Sequence, residues 1–339
     1  MKAVILVGGF GTRLRPLTLS VPKQMLPMGG VTMLQRVIEH LVGTGVDEVI
    51  LSLGYQPEIF RREYPDSRVA GIPVTCAIEP EPLDTGGAIA FAAREAGIDG
   101  TFLALNGDVL TDLDVRELWA FHRRCGGLGT IALTRVEDPS RYGVVPLDAD
   151  GRVEAFIEKP EAGTAPTHWI NAGTYVLEPE VFDLVPVGAR CSIEREVFPE
   201  LVERAQLFGL ESSSYWIDAG TPEAYLQAHL DLIDGLRGSF EPAIDESARV
   251  DTTAMVKRSW IGPGATVASG ACVVDSVVMA GARIAAGATV RQSIIGARSV
   301  IGEGCDLTEL TVVGFDEDVP AGVSESGGRF PPPTEWPLS

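Results

Sequence analysis

Residues 3–27, AVILVGGFGTRLRPLTLSVPKQMLP, join a short apolar run to a glycine-rich stretch and three cations. Val4–Val7 has the pattern of a buried strand, and the glycines that follow it permit a tight loop. Arg13, Arg15 and Lys23 come next, and no acidic residue lies among them. Backbone N–H groups in such a loop can face an anion, and arginine binds phosphate oxygens in pairs. The stretch therefore predicts a phosphate loop, the alternative being a plain strand and turn with surface arginines.

Two common nucleotide-binding motifs are absent from this loop. A Walker loop needs Gly-Lys-Ser or Gly-Lys-Thr after its glycines, and neither follows here. The dinucleotide fingerprint needs a third glycine at a position that Leu14 occupies. Phosphate binding is therefore expected without either motif.

Charge and composition exclude several classes of protein. The chain has 339 residues and a formal net charge of −20, so a sizeable DNA or RNA surface is not expected, because polyanion binding depends on phosphate neutralisation. No apolar run approaches the ~18 residues of a membrane span, and the N-terminus lacks the pattern of a signal peptide. The five cysteines are scattered without a C-x-x-C pair, which predicts free thiols and a cytoplasmic location.

The first half of the chain alternates apolar runs with helical patterns. The apolar runs predict buried strands at 3–7, 48–53, 74–78, 101–105 and 130–133. Two later helices have good capping residues, Ser192 and Thr221. Strand–helix alternation implies a mostly parallel sheet covered on both faces. The predicted fold class is α/β, with a Rossmann-like, mostly parallel mixed sheet in the N-terminal domain.

After about residue 240 the pattern becomes a repeat. Aliphatic residues recur with spacings of 6, 6 and 5, repeated four times, which gives a period of 17 residues. They fall at 244, 250, 256, 261, 267, 273, 278, 284, 290, 295, 301, 307 and 312. Ser259, Ser276 and Ser293 share this period. Three short strands per coil, each with one inward aliphatic, predict a parallel β-helix of hexapeptide repeats rather than a disordered Gly/Ala-rich tail.

Three segments follow from these patterns. We expect an α/β domain at residues 1–238, a β-helix at 239–323 and a loose or docked tail at 324–339, which has no period.

Polar side chains follow several predicted strands. Asp108 ends the strand in LALNGDVL, at the edge where open α/β sheets bind ligands, and a carboxylate there is a natural Mg²⁺ ligand. Asp218 lies beside a glycine turn in YWIDAGTP. A helix cap and a turn residue are the respective alternatives for these two aspartates. Lys159 in FIEKP could be surface charge, and Asn171 and Gly173 are further polar points on the strand WINAGTYVL.

Together these stretches resemble the sugar-nucleotide pyrophosphorylases, most closely the mannose-1-phosphate guanylyltransferases. The motifs that carry the likeness are, in chain order, GGFGTRLRPLT, PKQMLP, EPEPLDTGGA, NGD, EKP, INAGTYVL, SIEREVFPEL and WIDAGTP. The likeness covers roughly residues 1–323 and implies that the β-helix is left-handed. It also implies the reaction, in which a nucleoside triphosphate and a sugar 1-phosphate give a nucleoside diphosphate sugar and pyrophosphate, with Mg²⁺ as cofactor.

The resemblance implies a role for residues at matching positions. The triphosphate loop is implied at Gly8, Gly9, Gly11, Thr12 and Arg13. The catalytic residues are implied to be Arg13, Lys23, Asp108 and Asp218, the two aspartates as the metal pair. Glu79 is implied to contact the base, and Thr85 and Gly86 are implied to be further nucleotide-binding residues. The sugar-phosphate site is implied at Gly143, Glu158, Lys159, Asn171 and Gly173.

The expected chemistry is consistent with this set of residues. A sugar phosphate is already ionised at neutral pH, so its attack on the α-phosphorus needs positioning and charge neutralisation but no general base. Two positions depart from the family pattern. Asp84 replaces the glycine of Leu-Gly-Thr, which puts base and ribose contacts in doubt, and Gln24 replaces a proline, which is expected to be harmless.

GTP is the favoured substrate, because the carboxylate of Glu79 could accept from the two adjacent donors of guanine. The alternatives are uridylyl, thymidylyl or adenylyl transfer to a glucose-type phosphate, and guanylyl transfer to a cyclitol phosphate. A non-catalytic regulatory subunit would be suggested by loss of the cations or carboxylates, all of which are present. A hexapeptide acyltransferase would commonly use a histidine base, and no histidine follows His229. A homo-oligomer assembled through the β-helix is expected, because the final coil needs a cover.

Overall fold

The computed structural model describes residues 1–54, 57–238 and 240–337. Of the expected segments, the first residue of the β-helix domain, 239, and the last two residues of the tail, 338–339, lie outside the described residues.

The described chain divides into two compact units. The first combines Met1–Gly9 with Val37–Trp216. The second combines Phe10–Arg36 with the chain from Ile217 onward. The stretch that follows the first strand therefore belongs to the second unit, together with the C-terminal part of the chain.

The described chain up to residue 218 contains strands of two to nine residues. They are β1 (Lys2–Leu6), β2 (Pro27–Met28), β3 (Val31–Thr32), β4 (Glu48–Leu53), β5 (Arg68–Val69), β6 (Ile72–Ile78), β7 (Phe102–Asn106), β8 (Val109–Thr111), β9 (Gly129–Arg135), β10 (Gly143–Val144), β11 (Ile157–Glu158), β12 (Trp169–Leu177), β13 (Leu207–Ser212) and β14 (Trp216–Asp218).

The first unit is organised around a ten-stranded mixed sheet. Its strand order is β11-β10-β12-β7-β1-β4-β6-β5, and β9 pairs with both β12 and β13. Strand β1 runs parallel to β4 and β7, and β4 runs parallel to β6, whereas β12 is antiparallel to β7. The expected mostly parallel mixed sheet is confirmed.

The helices are α1 (Met33–Glu39), α2 (Pro57–Glu63), α3 (Asp84–Glu95), α4 (Val115–Cys125), α5 (Phe198–Glu203) and α6 (Pro222–Ile233). Both predicted capping side chains accept a backbone hydrogen bond, Ser192 from Arg195 and Thr221 from Ala224. A π-helical segment at Ile193–Val197 leads into α5. No helix in the described chain is long and apolar enough to cross a membrane.

The parallel strands bring several sequence motifs to one edge of the sheet. Strand β1 ends at Leu6, next to Asn106 at the end of β7, and the pairing of these two residues fixes the register. Strand β6 ends at Ile78, so Glu79 follows it directly at the same edge. Since parallel strands share the direction of the chain, the glycine-rich loop, NGD and Glu79 all leave the sheet at its carboxyl edge.

The second unit contains a β-helix of fifteen short parallel strands arranged in three sheets. One sheet consists of β15 (Arg249–Val250), β18 (Thr266–Val267), β21 (Arg283–Ile284), β24 (Val300–Ile301) and β27 (Asp318–Val319). Another consists of β16 (Met255–Lys257), β19 (Cys272–Val274), β22 (Thr289–Arg291), β25 (Asp306–Thr308) and β28 (Ser324–Ser326). The third consists of β17 (Trp260–Ile261), β20 (Val277–Val278), β23 (Ile294–Ile295), β26 (Val312–Val313) and β29 (Arg329–Phe330). The predicted left-handed β-helix is confirmed.

The 17-residue period holds for the first coils and then lengthens by one residue. Ile295 pairs with Val313 rather than with the predicted Val312, and Ile301 pairs with Val319. The extra residue lies at the corner after β25, where Glu309 and Leu310 both have positive φ angles of 49° and 66°. Val313 is therefore the residue that faces the core of the β-helix.

The serine repeat forms a buried ladder that joins successive coils. The hydroxyl of Ser259 accepts from the backbone N–H of Ser276, and the hydroxyl of Ser276 accepts from that of Ser293. Each hydroxyl donates to a backbone carbonyl two residues earlier, so the side chains of Ser259 and Ser276 both donate and accept. All three side chains are fully buried, which explains why the period selects a small hydroxyl residue.

The two ends of the β-helix differ. The segment expected to be a tail from residue 324 instead begins with β28 and β29, which complete a further coil over β25 and β26. Phe330 packs against the β-helix core at this end. At the other end Ile244 is 42% exposed, although its partner in the next coil, Ile261, is buried. Met255, on the first strand of the second sheet, is 52% exposed.

Candidate active site

The turn after β7 fixes Asp108 beside the end of β1. The backbone N–H of Gly107 donates to the carbonyl of Leu6 at 3.0 Å. A Cβ atom on Gly107 would lie 2.7 Å from that same oxygen, so only glycine permits this approach. Asp108 is 8% exposed and follows this contact directly. The expected carboxylate at the sheet edge is therefore held by a backbone arrangement that glycine makes possible.

The carboxylate of Glu79 is buried and already bonded within the first unit. The hydroxyl of Ser52 donates to one oxygen at 2.9 Å, and the backbone N–H of Leu83 donates to the other at 3.1 Å. A Cβ atom on Gly8 would lie 3.8 Å from the first oxygen, so the start of the glycine-rich loop lies against this carboxylate. Glu79 thus has a fixed orientation at the edge where a base is expected.

Asp84 begins α3 with a φ angle of 60°, a conformation that suits the glycine of the family pattern. Its own carboxylate accepts from the N–H of Thr85, and an oxygen lies 3.7 Å from the guanidinium of Arg190. Aspartate tolerates positive φ better than most residues, which accounts for its presence here.

Thr85 and Gly86 make close contacts with the segment that precedes α5. The hydroxyl of Thr85 donates to Glu194 at 2.6 Å and accepts from the N–H of Ile193 at 3.0 Å. A Cβ atom on Gly86 would lie 3.1 Å from the carbonyl of Cys191. These two residues therefore attach α3 to that segment, and their contact with the nucleotide stays a prediction.

The predicted sugar-phosphate residues converge at the antiparallel end of the sheet. Gly143 pairs with Glu158 across β10 and β11. A Cβ atom on Gly143 would lie 2.6 Å from the ring of Phe156, so the ring requires glycine there. Lys159 lies 3.3 Å from the carboxylate of Glu158 and is 59% exposed at the ammonium-bearing side chain. The sequence did not single out Phe156.

Asn171 and Gly173 shape a bulge in β12, where the register with β9 shifts. The side chain of Asn171 accepts from the N–H of Gly173 and donates to the hydroxyl of Tyr175. Gly173 has a φ angle of 73°, and a Cβ atom on it would lie 2.6 Å from the amide nitrogen of Asn106. The bulge thus connects β12 to the NGD turn, and burial raises the pKa of Tyr175, so its hydroxyl stays neutral.

In the second unit the rest of the glycine-rich loop packs on the segment that carries Lys23. Gly11 has a φ angle of 59°, and its carbonyl accepts from the hydroxyl of Thr18 at 2.7 Å. A Cβ atom on Gly11 would lie 3.2 Å from the Cβ of Lys23. Thr12 begins a short 3₁₀ turn that ends at Leu14. The loop and the lysine therefore form one local cluster.

Asp218 belongs to the same unit as Arg13. One oxygen of its carboxylate accepts from the N–H of Gly220 at 2.9 Å, and the other lies 4.0 Å from the Arg13 guanidinium, which is exposed. Asp108 lies in the first unit, so the convergence of the two aspartates on a metal stays a prediction. In the described part of the chain, no three His, Cys, Asp or Glu side chains group together to hold a metal ion.

Comparisons with known proteins account for both parts of the chain. A family model described as nucleotidyl transferase matches residues 2–235, and one described as the GMPPB C-terminal domain matches residues 241–327. The chain belongs to the nucleotidyl transferase family. It is therefore a nucleotidyltransferase, as the sequence predicted, and members of this family generally use a divalent metal.

Curated relatives of this nucleotidyltransferase come from distant organisms. It is 41% identical over 280 residues to the mannose-1-phosphate guanylyltransferase of Mycobacterium tuberculosis, and the aligned region covers 80% of this chain and 77% of the relative. It is 40% identical over 286 residues to mannose-1-phosphate guanylyltransferase 1 of Arabidopsis thaliana, and the aligned region covers 81% of this chain and 78% of the relative. The resemblance predicted from the motifs is confirmed.

A solved structure also resembles this nucleotidyltransferase. HddC from Yersinia pseudotuberculosis is 32% identical with a TM-score of 0.59, over 67% of this chain and 97% of HddC. A second structure of HddC, with a TM-score of 0.57 and 31% identity over the same shares of each chain, is a complex with GMP-PN.

Proposed function

We propose that this nucleotidyltransferase transfers guanylyl from GTP to mannose 1-phosphate, giving GDP-mannose and pyrophosphate. The observation that carries the proposal is the similarity to enzymes named mannose-1-phosphate guanylyltransferase in bacteria, plants and yeast. The buried carboxylate of Glu79 at the carboxyl edge of the sheet supports guanine, because a carboxylate can accept from two adjacent N–H donors.

The reaction is an in-line displacement at phosphorus. An oxygen of the ionised sugar phosphate attacks the α-phosphorus of GTP, the bond from that phosphorus to the bridging oxygen breaks, and pyrophosphate leaves with the oxygen. No proton has to be removed from the attacking group, so no general base is required. The contributions expected of the protein are orientation and positive charge.

Arg13 and Lys23 supply the positive charge in this proposal. Arg13 lies on an exposed turn where its guanidinium can bind triphosphate oxygens in pairs. The Cβ of Lys23 lies beside Gly11, so this lysine belongs to the same local cluster as the loop, which supports its proposed role. The N–H groups of Gly8, Gly9 and Thr12 add donors for the phosphates.

Asp108 and Asp218 are the residues that would hold Mg²⁺, and their chemistry fits this ion. Mg²⁺ in nucleotide enzymes takes one or two carboxylates together with phosphate oxygens, so one or both of these aspartates would supply enough protein ligands. When bound, the ion supplies charge that neutralises the triphosphate.

The metal assignment predicts the behaviour of Asp108→Asn. Turnover should fall by orders of magnitude, about 100-fold or more for an essential electrostatic ligand, while the melting temperature changes little. The control is Asp99→Asn, which alters an exposed aspartate of the same unit. Steady-state rates over a Mg²⁺ titration check both variants, and full activity of Asp108→Asn would refute the assignment.

Glu158, Lys159 and Asn171 are proposed to bind the sugar phosphate. Lys159 is the cation for its phosphate, and the Glu158 carboxylate and Asn171 amide are acceptors and donors for the hydroxyls. Gly143 and Gly173 give the backbone shape that keeps these side chains in place, since a Cβ atom at either would clash. A cyclitol phosphate offers similar hydroxyls and remains the second candidate for the acceptor.

A second copy of the chain is the proposed partner. Three large apolar side chains at or just before the first coil of the β-helix are exposed, namely Phe240, Ile244 and Met255. A β-helix end also presents unpaired strand edges. Light scattering at micromolar concentration should show an oligomer. The double variant Ile244→Lys, Met255→Lys should be a smaller species, and the fold of the first unit should not change.

Labelled substrates test the reaction itself. With GTP labelled at the α-phosphorus, the label should appear in the sugar nucleotide, and with GTP labelled at the γ-phosphorus it should appear in pyrophosphate. Label from the α-position in free GMP, or from the γ-position in inorganic phosphate, would indicate hydrolysis and refute transfer.

Five free cysteines in the described chain support the reducing, cytoplasmic setting expected from the sequence.

A further inference from the structure

We propose that the last coil of the β-helix positions the phosphate loop, through contact of Gly314 with Pro16, and thereby sets the affinity for the nucleotide. The inference rests on the proposed function of the loop residues. It gives the β-helix a part in nucleotide binding, besides the assembly role proposed above.

The contact joins two segments of the second unit that are distant in sequence. A Cβ atom on Gly314 would lie 3.1 Å from the carbonyl oxygen of Phe330 and 3.3 Å from the Cβ of Pro16, separations at which a neighbour must shift. Pro16 is buried, and Gly314 is buried at the corner after β26. Only a residue without a side chain keeps this corner and the loop segment in ordinary contact.

Gly314 is itself held firmly by the neighbouring coils. Its N–H donates to the carbonyl of Phe330 at 2.7 Å, which belongs to the last strand. Its carbonyl accepts from the buried hydroxyl of Ser299 at 2.6 Å. The Phe330 oxygen that the new Cβ would approach is the acceptor of the Gly314 N–H, so a shift there would weaken a hydrogen bond within the coil. On the side of Pro16 the contact is only between two carbon atoms, so we expect the strain to move Pro16.

Two hydrogen bonds connect Pro16 and its turn to the glycine-rich loop. The carbonyl of Pro16 accepts from the N–H of Leu19 at 3.1 Å and closes the turn that contains Thr18. The hydroxyl of Thr18 donates to the carbonyl of Gly11, and its methyl carbon would lie 3.0 Å from a Cβ on Gly11. Gly11 in turn lies against the stem of Lys23. A shift of Pro16 is thus passed to the backbone and the cation proposed to hold the triphosphate.

Gly314→Ala tests this contact, with Gly262→Ala as the matched control. Gly262 occupies the equivalent corner of an earlier coil, where a Cβ atom would meet the Trp260 ring at 2.9 Å and the Ala280 nitrogen at 3.0 Å. Both variants add one methyl group to a tight corner, but only the first lies against the loop segment. We expect KM for GTP to rise about tenfold or more in Gly314→Ala, a loss of roughly 1.4 kcal/mol or more in binding, and to change little in Gly262→Ala.

KM for the sugar phosphate should stay unchanged in both variants, which separates a displaced phosphate loop from general loss of structure. Hydrogen exchange without any substrate gives a readout independent of the proposed activity. The amides of Leu14 and Leu19 should exchange several-fold faster in Gly314→Ala than in the wild type or Gly262→Ala. Faster exchange with unchanged use of GTP would refute the proposed function of the loop and leave the contact intact.

A double-mutant cycle with Pro16→Gly, which removes the contacting Cβ, tests whether the effect passes through Pro16. The effect of Gly314→Ala on exchange at Leu14 should disappear in the Pro16→Gly background and persist in the Pro16→Ala background, where the Cβ is kept. Equal effects in all backgrounds, or equal behaviour of the two glycine variants, would overturn the proposal. Should Gly314→Ala fail to fold, Pro16→Gly compared with Pro16→Ala measures the same contact from the loop side, and equal exchange in that pair would also overturn it.

Discussion

The carboxylate oxygens of Glu79 accept hydrogen bonds within the fold and are also proposed to accept them from guanine. Ser52 and Leu83 already donate one hydrogen bond to each oxygen, and these bonds hold the end of β6 to β4 and to the start of α3. Each carboxylate oxygen has a second acceptor site, so guanine can be bound without breaking either bond. A side chain fixed before the ligand arrives loses little entropy on binding, which favours recognition of the base.

Glu79→Gln should therefore affect both the fold and the choice of base. An amide has one acceptor oxygen, so its NH₂ would face either Leu83 or Ser52. Facing Ser52 costs less, because that hydroxyl can accept from the NH₂ and donate to the carbonyl of Ala88 at 3.1 Å, and we expect a loss of about 1 kcal/mol. We also expect kcat/KM for GTP to fall about tenfold or more relative to other nucleotides. Thermal unfolding and competition between nucleotides measure the two effects, and Glu81→Gln on the exposed neighbouring residue should change neither. Unchanged preference for GTP would refute the base contact.

Gly173→Ala should separate backbone strain from displacement of Asn106. The new Cβ atom would lie 2.6 Å from the Asn106 amide, and the φ angle of 73° adds strain of about 1–2 kcal/mol for a residue with a side chain. Gly163→Ala is the matched control, because its φ angle is 77° and no atom lies within 4 Å of the added carbon. We expect KM for the sugar phosphate to rise only in Gly173→Ala, as measured by steady-state kinetics. Equal KM values in both variants would contradict a role for this bulge in the site.

Among the elements, α6 meets the β-helix through a histidine between two aromatic rings. His229 is buried, with its ring 4.7 Å from Tyr225 and 5.5 Å from Trp260 between centroids. Its Nδ1 donates to the carbonyl of Tyr225 at 3.0 Å. Burial lowers the pKa of His229 from 6.5 to about 4, so the ring is neutral at physiological pH and contributes packing rather than charge.

This lowered pKa predicts acid sensitivity of the second unit. Above pH 6.5 the ring is neutral in both states, whereas between pH 6.5 and 4 the unfolded chain binds a proton that the folded chain does not. The free energy of unfolding should therefore fall over this range, by up to about 3 kcal/mol from this residue. In His229→Leu the fall should be smaller, and in His168→Leu, which alters an exposed histidine, it should persist. Denaturant unfolding at several pH values checks this, and identical slopes for the two variants would contradict it.

The sequence predicted the elements better than their irregularities. Alternating strands and the aliphatic period identified both folds, because each rests on many repeated positions. The aliphatic pattern does not reveal the additional residue near Leu310, since one inserted corner residue leaves the composition of the coil nearly unchanged. The strand at Arg329–Phe330 was missed because a single inward phenylalanine within a glycine- and proline-rich stretch carries no period. Asp84 was recognised as a departure, but only its φ angle shows why the family uses glycine there.

At the scale of the molecule, the glycine-rich stretch is divided between the two compact units. Gly8 and Gly9 follow the first strand, whereas Gly11, Arg13 and Lys23 belong with the β-helix. The sequence placed all of them in one N-terminal domain because chain position was the only guide. The residues from Gly11 to Lys23, which are proposed to hold the triphosphate, therefore belong to the unit that contains the β-helix.

Release of pyrophosphate from five nucleoside triphosphates, each with a panel of sugar 1-phosphates and cyclitol phosphates, tests guanylyl transfer to mannose 1-phosphate most directly. We expect GTP with mannose 1-phosphate to give the highest kcat/KM, by about tenfold or more, because a site that pairs with base donors discriminates strongly against bases that lack them. Comparable release with dTTP, UTP or ATP, or a higher kcat/KM with a glucose-type or cyclitol phosphate, would contradict this assignment.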